Sequence, residues 1–258
     1  MKIEFAGRTA VVTGAGGGIG RAVTLSLAAL GARVLAVDLS ENAGRETEAL
    51  GKAEGHEIVF TRADVTSEAD VKAYVTEARE RFGGIDVFMN NAGWQGLIAP
   101  LADYPVETFD QVMAINVRGV FLGLKHVLPA MATAGRGAVV NTASLGSHVA
   151  TRNLGPYTAS KHAVLGLTKT AALEVARKGV RVNAVCPGPV ATAMLDEIEA
   201  SQAGGDADEL RRRRAASIPD GRYAEPDEIA DLMIYLASDH ARHITGQGIH
   251  INGGSHAI

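Results

Sequence analysis

Hydrophobic residues along the chain follow two spacings in turn. Short apolar runs rich in β-branched residues predict buried strands, whereas apolar residues three and four positions apart predict helices. The predicted strands are residues 9–12, 33–37, 57–62, 85–89, 135–140, 180–185 and 248–251. The predicted helices are residues 21–30, 41–53, 67–81, 108–131, 156–176 and 226–237. Because strands and helices alternate almost from end to end, we predict an α/β fold: a doubly wound parallel sheet of about seven strands with helices on both faces.

One segment interrupts this alternation. Residues 192–220 are polar and irregular, with Gly204 and Gly205 in the middle. Long irregular segments inside compact domains usually have a function or are disordered. We therefore expect residues 192–220 to form a lid over the functional site, within a single domain that spans residues 1–258.

Composition and charge narrow the class of protein. Over 258 residues the net charge is −4, which gives no electrostatic case for nucleic-acid binding. Cys186 is the only cysteine, so an intrachain disulfide is impossible and a cytoplasmic location is expected. Residues 1–7 contain charges and no long apolar run, unlike a secretory signal. No uninterrupted apolar stretch approaches the roughly 20 residues of a membrane-spanning helix.

A glycine-rich turn, residues 13–20 with the sequence TGAGGGIG, follows the first predicted strand and precedes the first predicted helix. Glycine has no Cβ, so the backbone can turn tightly and approach a pyrophosphate. The free N–H groups at the start of the helix favour an anion there. Strand, turn and helix together predict a dinucleotide-binding unit. The candidate cofactor contacts in the turn are Gly14, Gly17, Gly18 and Ile19.

The second predicted strand is followed by an acidic residue, Asp38. Such a carboxylate can accept hydrogen bonds from an adenosine ribose and would repel the 2′-phosphate of NADP. Neither Leu39 nor Gly17 offers an arginine to neutralise that phosphate. We therefore expect NAD as the cofactor, with Asp38 and Leu39 among its contacts. Alternatively, Asp38 is the N-cap of the helix that begins near Glu41.

Ser144, Tyr157 and Lys161 form a candidate catalytic set. Tyr157 and Lys161 are four positions apart on one predicted helix, so they share a face. A lysine charge beside the phenol favours the phenolate and lowers a pKa that is normally about 10. Such a tyrosine can take a proton from a substrate hydroxyl or return it during reduction. Ser144 follows the fifth predicted strand, where its hydroxyl can hold the substrate oxygen. The alternative is that Tyr157 and Lys161 are an ordinary amphipathic pair.

Motifs along essentially the whole chain resemble those of the short-chain dehydrogenase/reductase family. They occur in the family's order and at its spacing, and they imply a single-domain Rossmann fold. The matching segments are T-G-x-x-x-G-x-G at residues 13–20, N-N-A-G at 90–93, N-V-x-G at 116–119, Y-x-x-x-K at 157–161 with the family's serine at Ser144, and P-G-x-x-x-T at 187–192.

The resemblance implies a role for each matched residue. Tyr157 would be the general acid/base, Lys161 would lower its pKa and hold the nicotinamide ribose, and Ser144 would position the reacting oxygen. Asn116 would kink its helix and anchor a water that links Lys161 to solvent. The other implied cofactor contacts are Asp64 and Val65 at the adenine, Asn91, Ala92 and Gly93 along the cofactor, Val190 and Thr192 at the carboxamide, and Pro187 and Gly188 before them. Since the family is commonly tetrameric, a homotetramer is expected.

Residues next to these motifs are candidates for the substrate pocket. Most are apolar, which favours a small cyclic or aromatic alcohol. His148 either faces this pocket or is a structural or solvent-exposed histidine, and Trp94 either lines the pocket or only packs. The candidates are Trp94, Gln95, Ser144, Leu145, His148, Asn153, Leu154 and Met194.

Three further features have ordinary interpretations. The run Arg211 to Arg214 is expected to be a solvated helix face, with a clamp for an anionic substrate as the alternative. His240 and His243 could suggest a metal pair, but no other ligand set accompanies them, so no metal is expected. Cys186 ends an apolar strand and is expected to be a small buried hydrophobic residue.

Together these observations predict an NAD(H)-dependent oxidoreductase that interconverts a secondary alcohol and a ketone, with a small-molecule substrate and no nucleic-acid or membrane partner. A 3-oxoacyl-thioester reductase is the alternative; that chemistry usually draws on NADPH, which Asp38 disfavours, although the arginine run would suit it. A third interpretation is a non-catalytic nucleotide-sensing protein. Such proteins tend to lose the tyrosine or the lysine, and this chain has both Tyr157 and Lys161.

Overall fold

The computed structural model describes residues 2–202 and 206–256. In this part of the chain one parallel sheet has seven strands in the order β3-β2-β1-β4-β5-β6-β7. The strands are β1 (Thr9–Thr13), β2 (Arg33–Asp38), β3 (Ile58–Arg62), β4 (Val87–Asn90), β5 (Gly137–Thr142), β6 (Val180–Pro187) and β7 (Gly248–Ile251). The helices are α1 (Gly18–Ala29), α2 (Glu41–Ala53), α3 (Glu68–Phe82), α4 (Val106–Met113), α5 (Gly119–Ala134), α6 (Gly155–Val175), α7 (Ala193–Gln202), α8 (Ala207–Ala216) and α9 (Pro226–Ala237). The predicted doubly wound α/β fold is confirmed.

Both faces of the sheet are buried. Successive strand residues point to opposite sides, so each strand contributes to two cores. Val11 and Leu35 lie in a core with α3, α5 and α6, whereas Val12 and Ala36 lie in a second core with α1 and α9. Near-continuous apolar strands of this kind are typical of parallel sheets covered by helices. The strand order reverses between β1 and β4, so the ends of these strands border the crevice where such sheets bind ligands.

Most strands begin or end one or two residues away from the predicted boundaries, and two of these differences have identifiable reasons. The fifth strand begins at Gly137 rather than at residue 135, because Gly135 ends α5 in the left-handed conformation with φ of +69°. The sixth strand continues to Pro187, because its pairing with β7 extends as far as Pro187 and Ile251.

The helix predicted for residues 108–131 is part of a longer element, Val106–Ala134, in which a π-helical turn, Ala114–Arg118, joins α4 to α5. By length and composition alone this element could cross a membrane, but half of its most apolar window is buried inside the fold. A core helix of a soluble protein passes the same test. The element also contacts β4, β5 and α6, as a core helix does.

The prediction that residues 192–220 are irregular is wrong, because α7 and α8 lie within this segment. The Asp206 side chain accepts a hydrogen bond from the N–H of Glu209 (2.8 Å) and so caps α8. Six of the ten residues of α8 are charged and three of the others are alanines, so α8 lacks the apolar periodicity by which helices were predicted. Gly204 and Gly205 lie outside the described residues.

Candidate active site

Ser144 lies just beyond the end of β5, which ends at Thr142. It is the N-cap of a short 3₁₀ turn, Leu145–Ser147. Its hydroxyl accepts a hydrogen bond from the N–H of Gly146 (3.0 Å), and the Ser147 hydroxyl accepts one from the N–H of Ser144 (3.2 Å). This capping box fixes the Ser144 side chain at the edge of the sheet.

Lys161 is buried on α6 beside Tyr157. It is 4% exposed, and its Nζ donates a hydrogen bond to the carbonyl oxygen of Thr142 (2.8 Å). The same Nζ lies 5.5 Å from the ring centroid of Tyr157. The Tyr157 side chain hydrogen-bonds the side chain of Ser144. The structure therefore brings together the three side chains that the sequence predicted to act together.

The pKa values in this cluster differ from the prediction. Burial raises the pKa of Tyr157, and the hydrogen bond with Ser144 opposes that shift only in part. Burial also lowers the pKa of Lys161 to about 8. The effect of the Lys161 charge on the tyrosine pKa stays a prediction; the net direction is upward, because desolvation of the phenolate is the largest contribution.

Asn116 is fully buried in the π-helical turn between α4 and α5. Its Oδ1 accepts a hydrogen bond from the N–H of Trp94 (2.8 Å), and its Nδ2 donates to the carbonyl oxygen of Trp94 (2.7 Å) and to Oγ of Ser160 (3.0 Å). A Cβ added to Gly93 would lie 3.3 Å from Asn116 Oδ1 and 3.4 Å from Lys161 Nζ. The helix is therefore distorted at Asn116, as predicted, and Asn116 borders the same space as Lys161.

The glycine-rich turn forms an open cradle at the start of α1. Gly14 and Gly18 have φ of +67° and +49°, which favour glycine, and a Cβ on Gly20 would overlap the carbonyl oxygen of Gly14. Gly17 is the N-cap, no side chain caps the helix there, and a Cβ on Gly17 would meet open space. Uncapped N–H groups facing open space fit the diphosphate of a dinucleotide.

Asp38 lies directly beside this cradle. Its Oδ2 accepts a hydrogen bond from the N–H of Gly16 (2.8 Å), and its Oδ1 accepts one from the N–H of Ser40 (2.8 Å). Ser40 is the N-cap of α2, since its hydroxyl accepts from the N–H of Ala43 (3.4 Å). The alternative that Asp38 is this N-cap is therefore wrong. Leu39 follows Asp38 and is 57% exposed.

Other predicted cofactor residues have structural partners of their own. Asp64 Oδ1 accepts two hydrogen bonds from Thr66, both of 2.8 Å. The Asn91 carboxamide donates to the carbonyl oxygen of Thr13 (3.1 Å) and accepts from the Thr142 hydroxyl (3.0 Å). These side chains fix the loops after β3 and β4, which leaves backbone groups to face a cofactor.

The remaining predicted cofactor residues lie in the same loops or after β6, and each has a contact of its own. Val65 packs against Gly119, Ala92 donates to the Thr13 hydroxyl, Gly188 donates to Ile251, Val190 pairs with Ala224, and Thr192 lies against Gly18.

Comparison with known proteins identifies the family to which this fold and site belong. The family model described as enoyl-(acyl carrier protein) reductase matches residues 14–256. Levodione reductase from Leifsonia aquatica is 42% identical over 98% of this chain and 96% of its own. A 2,5-dichloro-2,5-cyclohexadiene-1,4-diol dehydrogenase from Sphingobium indicum is 41% identical over 99% of each chain. The chain belongs to the short-chain dehydrogenase/reductase family.

Solved structures of this family share the fold over nearly the whole chain. The crystal structure of levodione reductase has a TM-score of 0.95 at 40% identity and covers 97% of this chain and 98% of that one. NAD⁺-bound xylitol dehydrogenase has a TM-score of 0.93 at 36% identity, covering 97% and 99%. Actinorhodin polyketide ketoreductase with NADPH has a TM-score of 0.93 at 37% identity, covering 96% and 97%. The family binds nicotinamide cofactors. The xylitol dehydrogenase structure contains NAD⁺, and the ketoreductase structure contains NADPH.

The predicted pocket residues of this short-chain dehydrogenase/reductase lie in three segments of the chain. Trp94 and Gln95 follow β4, and Met194, which is 42% exposed, lies in the first turn of α7. Leu145 opens the 3₁₀ turn after Ser144, and Leu154 is the N-cap of α6. Asn153 adopts a φ of +67° and accepts a hydrogen bond from the N–H of Ala99 (3.1 Å), which joins two of these segments.

His148 has contacts that a residue facing only the pocket would lack. Its ring centroid lies 4.3 Å from that of His250 and 6.3 Å from that of His256. Its Nε2 lies 3.6 Å from Sγ of Cys186, which is fully buried as predicted. These contacts support the structural interpretation of His148.

The arginine run on α8 and the histidines near the C-terminus were the other candidates for binding a ligand. Arg212 and Arg213 are exposed, as expected of a solvated face, but Arg211 and Arg214 are ion-paired with Asp196 and Glu199 of α7. His240 Nε2 lies 3.2 Å from the carbonyl oxygen of Lys2. Within residues 2–202 and 206–256, no group of three or more His, Cys, Asp and Glu side chains is arranged to hold a metal ion.

Three residues that support the site were not predicted from the sequence. Ser160 bonds Asn116 and the carbonyl oxygen of Tyr157 (2.7 Å), Thr142 accepts from Lys161, and Thr13 accepts from the backbone of residues 91 and 92. Ser160 falls at a variable position of the Y-x-x-x-K motif. Its position three residues after Tyr157, on the face of α6 that turns inward, was the available signal.

Proposed function

We propose that this protein is an NAD(H)-dependent dehydrogenase that interconverts a secondary alcohol and a ketone, most readily a cyclic one. The observation that carries the proposal is the meeting of Ser144, Tyr157 and Lys161 beside the carboxyl ends of β4 and β5. The cradle before α1 opens at the same edge of the sheet.

In this proposal the chain's own residues hold the substrate oxygen and move its proton. Ser144 donates a hydrogen bond to that oxygen, and Tyr157 takes the hydroxyl proton during oxidation or returns it during reduction. A nicotinamide cofactor whose diphosphate is held by the cradle would accept or donate the hydride. Its positive charge in the oxidised form, together with Lys161, would oppose the effect of burial on the tyrosine pKa. Asn116 holds the backbone of Trp94 and thereby shapes the space beside Lys161.

Asp38 supports NAD rather than NADP as the cofactor. Its carboxylate is held between the N–H groups of Gly16 and Ser40, next to the place where an adenosine ribose would follow the diphosphate. Arg21 is near the same turn, but its guanidinium is ion-paired with Glu46 (2.5 Å). Arg62, the β3 partner of Asp38, donates from its Nε to the carbonyl oxygen of Leu39 (3.2 Å). A 2′-phosphate would nevertheless meet the acidic side chain of Asp38.

Relatives and pocket residues support a small cyclic substrate. The name of one relative specifies a cyclohexadiene diol, and another relative, 41% identical over the full length of both chains, is named cis-4-hydroxycyclohexanecarboxylate dehydrogenase. The predicted pocket side chains Trp94, Leu145, Leu154 and Met194 are apolar. An apolar pocket with a few polar groups suits such a ring.

A 3-oxoacyl-thioester reductase is a second candidate, favoured by the ketoreductases among the relatives and the similar structures. The arginine run gives it less support than the sequence suggested. Arg211 and Arg214 are already paired with carboxylates of this chain. An anionic carrier would have to displace those pairs.

We further propose that residues 192–220 act as a lid, that the protein is a homotetramer and that it is cytoplasmic. α7 begins one residue after Thr192, which supports a lid joined to the cofactor site. Large apolar side chains are exposed on α5 and α6, among them Phe121 (47%) and Leu173 (85%), which supports assembly through these helices. The single buried Cys186 supports a reducing compartment.

A substrate and cofactor screen tests the proposal. Cyclic and acyclic secondary alcohols with NAD⁺ or NADP⁺ are followed by absorbance of the reduced cofactor, beside 3-oxoacyl thioesters with NADH or NADPH. We expect turnover of a cyclic alcohol with NAD⁺, and we expect Asp38→Ala to narrow the preference for NAD⁺ by removing the repulsive charge. Glu46→Ala, which frees Arg21, is the matched variant and should also help NADP⁺. A wild-type preference for NADP⁺, or turnover of thioesters alone, would contradict the proposal.

A further inference from the structure

Residues 190–224 leave the sheet and return to the place where they left it. Val190 and Ala224 form an isolated parallel bridge, in which Ala191 donates to the carbonyl oxygen of Ala224 (2.9 Å) and Ala224 donates to that of Pro189 (3.0 Å). Thr192, at the start of this excursion, has its Cγ2 3.1 Å from where a Cβ on Gly18 would lie. The excursion is therefore anchored at the glycine cradle.

A buried carboxylate lies inside the excursion. Glu199, on α7, is 2% exposed, and its Oε1 accepts a hydrogen bond from the Tyr223 hydroxyl (2.5 Å). Arg214, on α8, approaches the same oxygen at 3.5 Å. Glutamate is almost never fully buried unless it is paired, because loss of its hydration must be offset. Glu199 thus joins α7, α8 and Tyr223, which precedes the bridge residue Ala224.

A second ion pair follows the same pattern. Arg211 bonds Asp196 (2.5 Å), and its guanidinium lies 5.3 Å from the ring centroid of Tyr223. Asp196 and Glu199 are three positions apart on α7, as are Arg211 and Arg214 on α8, so each pair shares one helix face. We call these five residues, Asp196, Glu199, Arg211, Arg214 and Tyr223, the Glu199 cluster.

We propose that Glu199 is a positioning residue that holds α7 and α8 against Tyr223 and thereby keeps Thr192 beside the cradle. This inference rests on the proposed function for its effect on cofactor binding. Glu199 contacts none of Asn116, Ser144, Tyr157 or Lys161 in the described hydrogen bonds and ion pairs. Its loss should therefore weaken the binding of the cofactor and leave the chemical step unchanged. Removal of the Glu199 carboxylate also deprives the buried Tyr223 hydroxyl of this acceptor, which loosens the excursion.

The test compares graded variants of the cluster. Glu199→Gln keeps the shape and an acceptor for Tyr223 but loses the charge, Glu199→Ala loses both, and Tyr223→Phe removes the donor. Glu197→Gln, an exposed carboxylate on the same helix, is the matched control. The measurements are the dissociation constant of NADH by calorimetry, KM and kcat for the alcohol substrate, and hydrogen exchange of the amides of α7 and α8.

We expect the NADH dissociation constant and the KM for NAD⁺ to rise roughly 5-fold to 50-fold in Glu199→Ala, a range typical of coupling between sites. The rise should be smaller in Glu199→Gln and in Tyr223→Phe, kcat should stay within about twofold, and exchange in α7 and α8 should accelerate. Glu197→Gln should match the wild type.

Three results would overturn the proposal: unchanged exchange in all cluster variants, faster exchange without weaker NADH binding, or a fall in kcat as large as the rise in KM. If Glu199→Ala does not fold, Glu199→Gln and Tyr223→Phe decide the matter. Hydrogen exchange is measured on the protein without added ligand, so it tests whether Glu199 holds α7 and α8 in place even if the wild type turns over no alcohol. Absence of turnover by the wild type would instead count against the proposed function.

Discussion

At the scale of single residues, two charges that burial disfavours lie side by side in the site. Burial raises the pKa of Tyr157 and lowers the pKa of Lys161 to about 8. Lys161 uses one of its donors on the carbonyl oxygen of Thr142, which holds the ammonium near the phenol. A general base with a raised pKa is mostly protonated at neutral pH, so the two directions of the reaction should respond to pH differently.

The pH dependence of both directions follows from the raised pKa of Tyr157. Oxidation needs the phenolate, whose population increases as pH rises toward the tyrosine pKa, so kcat/KM for the alcohol should increase from about pH 6 to about pH 10. Reduction needs the phenol, which the raised pKa keeps protonated, so kcat/KM for the ketone should stay nearly constant over the same range and fall only at higher pH. The measurement is the pH profile of each direction with NAD⁺ or NADH. A flat oxidation profile, with a deuterium isotope effect showing that hydride transfer limits the rate, would contradict the assignment.

Residue identity was easier to predict than residue partners. The catalytic set, the cradle glycines and Asp38 follow from spacing and from the chemistry of each side chain. The sequence could not predict that the Asn91 carboxamide hydrogen-bonds Thr13 and Thr142, because those contacts cross between strands. The direction of the Tyr157 pKa shift likewise required the burial of the phenol to be known.

At the scale of elements, apolar periodicity predicted the helices that cover the sheet and missed α7 and α8. α2 and α9 have the predicted bounds, 41–53 and 226–237, because one side of each is buried. α8 is held by its Asp206 cap and by the ion pairs of Arg211 and Arg214. These interactions leave no periodic apolar pattern in the sequence. A charged run read alone therefore cannot show which of its members face a partner.

The contact of α2 with β3 provides a prediction about stability. A Cβ on Gly44 would overlap the ring of Phe60, so Gly44→Ala should destabilise the protein by about 1–3 kcal/mol, although alanine is the better helix former. Gly84→Ala adds the same methyl group at a glycine with a negative φ and open space around it, and should change stability by less than about 0.5 kcal/mol. Chemical denaturation of the two variants and the wild type measures both effects. Equal stability of all three proteins would show that α2 does not pack closely on Phe60.

At the scale of the whole molecule, the sheet collects ligand-binding groups at one edge and leaves apolar helix surface on the outside. The described part of the chain shows Phe109, Phe121 and Leu173 at 41%, 47% and 85% exposure on α4, α5 and α6. Assembly of copies through these helices would remove that surface from water. Sequence periodicity could not reveal this exposure, because a residue at an apolar position is assigned to a core by default.

The assembly has its own test. Wild-type protein should sediment as a tetramer, and Leu173→Glu should shift it to smaller species, because burial of an unpaired carboxylate opposes association. Leu50→Glu, at a residue of α2 that is 44% exposed, is the matched control and should remain tetrameric. Analytical ultracentrifugation at several concentrations measures both. A monomeric wild type, or identical behaviour of the two variants, would contradict assembly through α6.

The central claim is that Tyr157 transfers the proton while other groups bind the cofactor, and one pair of measurements on Tyr157→Phe tests it most directly. The variant should bind NADH with the affinity of the wild type, and its alcohol turnover should fall about 100-fold to 10,000-fold, the usual contribution of a general acid/base. Tyr235→Phe, on α9, should keep both properties. Turnover at the wild-type rate in Tyr157→Phe, with NADH still bound, would contradict the account.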